Sequence, residues 1–278
     1  ETGLNNTAVG QSALSSNYTG SQNTAIGRLA LGFDGSGSHN TAVGDQSSIF
    51  TSSGSYNTSM GGQSLFNNFT GNNNVAIGWS ALRSNTASNN TAVGYQAGYS
   101  NTSGTGNVVV GFESFYSNTT GVQNTAIGHQ ALRQSDTNSS STAVGYQALY
   151  NQLNSEGNTA VGALSLYNAS ATYYNVAIGN NAMTLQSSGD ANVSIGYNSL
   201  NTNTGGNSNV AIGYATNSGN FSGSVILGRQ ATATASNQFV VGSAAYNAGT
   251  VDTAAVTPTK RWKVKINGVD YYIALEPA

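Results

Sequence analysis

The order of polar and apolar positions repeats like the teeth of a comb. A five-residue unit, polar, Thr or Val, Ala, Val or Ile, Gly, returns along most of the chain, as in Asn124-Thr125-Ala126-Ile127-Gly128. Its closing glycines are Gly10, Gly27, Gly44, Gly61, Gly78, Gly94, Gly111, Gly128, Gly145, Gly162, Gly179, Gly196, Gly213, Gly228 and Gly242. The intervals are 17 four times, 16 once, 17 seven times, then 15 and 14. A fixed short period over fifteen copies indicates a solenoid, in which each coil buries apolar surface only against its neighbours. The alternating, β-branched unit predicts a short strand. After two further residues comes a second apolar pair, as in Ala131–Leu132, Ser165–Leu166 and Ala182–Met183, which predicts a second strand. Another glycine often stands ten residues after the first, as at Gly20, Gly37, Gly104 and Gly206, and marks a turn. No helical period occurs. The expected fold is all-β, a parallel β-roll of about 15 coils over residues 1–249. At about 4.8 Å per coil it would be a rod of roughly 70 Å.

In a strand of this kind Thr125 and Ile127 point one way and Ala126 the other. Neither face carries charge, so the strand is expected to be buried on both. We expect the Val/Ile face to fill the coil, with Ile127 and Leu132 inside it. The Ala face is then expected to meet another copy of the chain, its small side chains allowing close approach about a symmetry axis. The first position of the unit is Asn6, Asn23, Asn40, Asn57, Asn74, Asn90, Asn107, Asn124, Asn158, Asn175, Asn192 and Asn209, with Ser141 as the exception among the first thirteen coils. Like residues one coil apart stack, so these amides are expected to form a hydrogen-bonded ladder.

The repeat stops near residue 250. Residues 250–259 read as a linker, and 260–278 as a hairpin turning at Asn267–Gly268. That turn pairs Trp262 with Ile273, Val264 with Tyr271 and Ile266 with Val269, giving an apolar face. A lone hairpin is marginal in water, so this face is expected to dock, capping the roll, locking copies together or joining them end to end.

Composition narrows the function classes. Charged residues make up 6% of the 278, against about 25% in typical domains. The net charge of −2 offers no electrostatic case for nucleic acid. There is no cysteine, hence no disulfide or thiolate metal site. No run of about 18 apolar residues suggests a membrane-spanning helix. Low charge with many Asn, Ser, Thr and Gly would suit disorder, and the periodicity argues against it.

Candidate chemistry is sparse. The carboxylates, among them Asp34, Asp45, Glu113, Asp136 and Glu156, share no coil position, and His39 and His129 have no acid or nucleophile in register. Catalysis on a solenoid needs such a cluster, so neither an enzyme nor a metal or cofactor site is expected. Glu113 is in register with Gln130, so it should sit near an amide. The fifth position after the motif glycine is more suggestive: Phe66, Arg83, Tyr99, Tyr116, Arg133, Tyr150 and Tyr167. The first position after it adds Trp79, Tyr95, Phe112, His129 and Tyr146. Aromatic faces and guanidinium groups bind sugars, so an outward glycan-binding stripe is one reading; mutual stacking that merely stabilises the roll is the other. Asn17, Asn68 and Asn118 begin glycosylation sequons, although Asn/Thr-rich turns produce such triplets without sugar. Repeated Thr resembles the arrays of ice-binding solenoids, but Thr exchanges with Val at Val75, Val108 and Val176, which suggests a core-facing position.

"NVAIGWSAL" (residues 74–82) and "STAVGYQALY" (residues 141–150) resemble the head repeats of YadA-like trimeric adhesins. The resemblance covers about residues 5–249, and the last copies, 224–238 and 239–249, shorten toward that family's period. It implies a left-handed parallel β-roll and a homotrimer of three rolls about one axis. The 17-residue form looks like repeats of phage and viral tail fibres, and "WKVKINGVDYYIAL" resembles their terminal segments. What the resemblance implies is an extracellular fibre, on a virion or a cell surface, that binds a host-surface glycan or other receptor. Trimeric autotransporters end in a membrane-anchor β-barrel. No such segment is seen here, which points to the viral side or to a piece of a longer chain. A purely structural filament subunit is the remaining expectation.

Overall fold

Closing a coil in 17 residues leaves room for very few inward side chains, and the architecture follows from that limit. The structure, a computed structural model, describes residues 3–243 and 245, together with the backbone of Lys260–Ile266 and Val269–Leu275. The chain is an all-β parallel β-solenoid, without helix among the described residues. We number the coils one to fifteen by their motif glycines. Each contributes one three-residue strand, and the fifteen strands form a single parallel sheet. The register advances one coil per step: Thr125 beside Thr142, Ala126 beside Ala143, Ile127 beside Val144.

The expected second strand is not a strand. Gln130 (φ 57°) and Leu132 (φ 51°) lie in the left-handed region, which costs an L-residue about 1–2 kcal/mol. The Gln130 N–H donates back to Phe112 O at 2.8 Å, whereas the Leu132 N–H donates forward to Ala148 O at 3.0 Å. Neighbouring N–H groups two residues apart thus bond in opposite directions, which a strand cannot do. Full burial of the Leu132 side chain offsets the backbone cost. Among the described residues, only coils nine and ten add a second strand pair, Asn151–Leu153 with Asn168–Ser170.

The two faces of the strand are also the reverse of the expectation. Ala126 is fully buried, whereas Ile127 is 39% exposed and Thr125 half-buried. Leu132 and Ala131 already occupy the thin interior, so only a small side chain fits opposite them. The β-branched face therefore looks outward and the Ala column lines the core. Coil three departs from this plan: Ser48 replaces the leucine, and Ser47, Ser48, Ser59 and Ser64 link their buried hydroxyls at 2.7–2.9 Å.

Gly128 shows why the motif ends in glycine. Its φ is 137°, and a Cβ there would collide with the carbonyl of Gly145 in the next coil. The asparagines before the strand are sealed in the interior at Asn23 and beyond. The Asn124 N–H donates to Asn107 Oδ1 at 3.0 Å, and Asn124 Nδ2 donates to Asn138 O at 2.9 Å. The same N–H to amide-oxygen bond links Asn6 through Asn124, and again Asn158 through Asn209. At the break, Gln152 Nε2 reaches Ser141 Oγ at 2.8 Å. There an equivalent ladder runs three residues earlier, where Ser155 N–H donates to Asn138 Oδ1 and Thr172 N–H to Ser155 Oγ.

The chain divides into two compact units, Glu1–Tyr246 and Asn247–Ala278. In the second, Lys260–Ile266 and Val269–Leu275 form an antiparallel pair. Its register sets Trp262 opposite Ile273, Val264 opposite Tyr271 and Ile266 opposite Val269. The linker 250–259, the turn at Asn267–Gly268 and the hairpin side chains lie outside the described residues.

Candidate functional site

Side chains 17 residues apart stand one above another, so the surface is a set of columns. Just after the motif glycine, Tyr95, Phe112, His129 and Tyr146 stack with centroids 5.3, 5.1 and 5.4 Å apart and planes within 10, 11 and 22°. Trp79, one coil earlier, lies over Gly62. Tyr197 and Tyr214 make a second run, which Arg229 covers at 5.2 Å.

The column five residues after the glycine is half-buried throughout. Arg83 sits 4.8 Å from the Phe66 ring and 5.7 Å from Tyr99. Tyr99 stacks on Tyr116 at 5.1 Å, and Arg133 lies 5.1 Å from the Tyr116 ring. Arg133 Nη1 donates to the Tyr150 hydroxyl at 3.5 Å, and Tyr150 stacks on Tyr167 at 5.1 Å.

Amides run alongside these columns. Gln147 Nε2 donates to Gln130 Oε1 at 2.8 Å, and Gln130 Nε2 donates to Glu113 Oε2 at 3.0 Å, the amide contact that register implies. The same carboxylate oxygen takes Arg133 Nε at 2.7 Å, with only 23% of the arginine side chain and 17% of the glutamate side chain exposed. Burial alone would push the Glu113 carboxyl up; Arg133 and Gln130 outweigh it and hold it below the usual range. This partly shielded pair holds Arg133 in the column and cancels its charge.

The stacking changes what the stripe can do. For rings inside a run, such as Phe112, His129 and Tyr116, both faces are covered by the rings or guanidinium groups above and below. What remains outward is ring edges, tyrosine hydroxyls and amides. The expectation that sugars lie on the ring faces therefore fails inside the runs, for lack of a free face.

Sequence reasoning missed several pairs that obey the same spacing. Phe33 stacks on Phe50 at 5.4 Å, His39 on Tyr56 at 4.7 Å, and Arg28 meets Asp45 at 2.9 Å, each partner 17 residues away. The sequon asparagines Asn17, Asn68 and Asn118 are buried, their amides closed on Gly20, Gly71 and Gly121. They are not accessible acceptors in the folded roll.

The outward strand face carries a column of exposed apolar side chains. Ile26, Ile77, Ile127, Ile178 and Ile212 are exposed along it, and no charged residue occupies either outward strand position in fifteen coils. The neighbouring Thr column also faces outward rather than into the core. From Val176 it turns into Val193, Val210, Val225 and Phe239, so the hydroxyl array ends two-thirds of the way along.

Among the described residues no three His, Asp or Glu are placed to hold a metal, and no helix is long and apolar enough to cross a membrane. No protein-family model matches the chain, and no curated protein matches it in sequence.

Proposed function

We propose that this chain is the rod of an extracellular fibrous attachment protein, viral or phage tail-fibre-like, that assembles as a homotrimer through its outward strand face. The observation that carries the reading is the uncharged apolar column from Val9 to Val241, exposed at ten of its fifteen positions and half-buried at Val43, Val93, Val144, Ile195 and Leu227. Monomeric soluble proteins rarely leave so continuous an apolar surface in water. A closed symmetric assembly buries it on every copy. The number three follows the resemblance to trimeric adhesin heads. The lateral columns then remain outside, and many weak contacts on three copies sum to firm attachment. Recognition of a host-surface glycan would run through hydroxyls and amides at the ring edges. The head of a bacterial surface adhesin uses the same architecture, and an end-to-end filament would use the C-terminal hairpin as its joint. The proposed role is binding and structural rather than catalytic.

Light scattering tests the assembly. The full chain should have three times the chain mass, and a variant with Ile77, Ile127 and Ile178 all changed to Asp should run as a folded single chain. A monodisperse single-chain wild type would overturn the reading.

A further inference from the structure

We propose that the stacked pairs Tyr99–Tyr116, Tyr150–Tyr167 and Tyr197–Tyr214 are sites of oxidative cross-linking, at which neighbouring coils become joined by carbon–carbon bonds between ortho ring positions. The solenoid has no conventional covalent staple. The chain has no cysteine, and its lysines occur only at Lys260, Lys263 and Lys265, beyond the repeats. Neither a disulfide nor a lysine-derived bridge can tie one coil to the next. Phenols can.

The geometry is favourable at these three pairs. Their centroids are 5.1, 5.1 and 5.4 Å apart, with planes within 10, 8 and 17°. Because each pair occupies one column one coil apart and the planes are nearly parallel, the two rings project alike, one above the other. Tilting the rings together closes the gap while the backbone keeps its register. Tyr173 and Tyr174, at 6.4 Å and 44°, lack this alignment. The pairs join coils six and seven, nine and ten, and twelve and thirteen, one staple every third coil. A solenoid held only by nearest-neighbour contacts can open locally, so evenly spaced staples would limit how far any opening spreads.

The chemistry balances with a peroxide and a haem peroxidase as the oxidising system. Each phenol gives up one electron and one proton, and hydrogen peroxide is reduced to two waters. The two phenoxyl radicals join at their ortho carbons. Each ring then moves its ortho proton to oxygen, which restores the phenol. The net change is the loss of two hydrogens per bridge.

The test is to treat the full chain with hydrogen peroxide and a haem peroxidase. The expected product migrates as a single chain on a denaturing gel, shows dityrosine fluorescence and has lost two hydrogens per bridge, up to three bridges. Fragment mass spectrometry should place the bridges at the three pairs. Tyr116→Phe should remove the first bridge and leave two, and Tyr214→Phe should remove the third. Tyr18, Tyr56 and Tyr174 are the control, being 65%, 60% and 65% exposed. Coupling that runs mainly between chains through those residues would overturn the proposal. So would an equal within-chain yield from chain unfolded in denaturant.

Discussion

Asp34 is sealed inside the roll, in the column that holds Asn17 one coil earlier and Asn68 two coils later. Asn17 accepts the Gly20 N–H and donates its amide to the Gly20 carbonyl. Asp34 accepts the Gly37 N–H at 3.0 Å, but an ionised carboxylate has no proton to return to the Gly37 carbonyl. Burial pushes its carboxyl up to about 7, against the opposing pull of the Gly37 hydrogen bond. An unfolded aspartate titrates near pH 4, so between about 4 and 7 the folded chain holds a proton that the unfolded chain has lost. The contribution of Asp34 to stability is therefore full below pH 4, falls as the pH rises, and levels off above 7. The total loss is on the order of 4 kcal/mol. Denaturant midpoints measured from pH 4 to 8 should follow that decline, and Asp34→Asn should flatten it and raise the midpoint at neutral pH. A wild type whose midpoint does not fall over that range would refute the assignment.

At the scale of the coil, one strand and one left-handed turn divide the work. Leu132 fills the interior, and its full burial compensates for its strained φ. Leu132→Ala should cost about 2–5 kcal/mol, whereas Ile127→Ala, on the outward face, should cost the isolated chain far less. Thermal unfolding of the two variants as single chains separates them, and equal losses would contradict the observed face assignment. Much of the coil was legible beforehand. The strand at Thr125–Ile127, the turn at Gly128 and the amide ladder through Asn124 all follow from period and residue type. Alternation, however, shows only that a strand has two faces. Which one turns inward depends on the volume left by Leu132, a residue five positions further on. The left-handed leucine carried no signal, since an apolar pair reads equally well as a strand. The columns were legible from the 17-residue period, and His39 with Tyr56 could have been found by the same rule. That stacked rings hide their faces required the observed spacing and tilt.

Across the whole solenoid, the outward face and the lateral columns have separable roles. The face is graded, with Thr prominent in the first ten coils and Val or Phe throughout the last five. Parallel copies in register match apolar ends with each other, whereas antiparallel copies would set Thr against Val. The lateral columns are the surface left for attachment. Changing Tyr116, Arg133 and Tyr150 together to Ala should weaken binding on a glycan array while leaving the assembled mass unchanged. Undiminished array binding by that variant would remove the columns from the attachment role. The close approach of each motif glycine to the next coil's carbonyl also has a genetic consequence. Every coil presents to its successor the same surface that it meets on its predecessor. An in-frame duplication or loss of seventeen codons within the regular part of the gene therefore adds or removes a whole coil and leaves both joints intact. Recombination between repeats can thus lengthen or shorten the rod in whole-coil steps, so that its reach can be altered by copy number alone, with no new contact to be evolved.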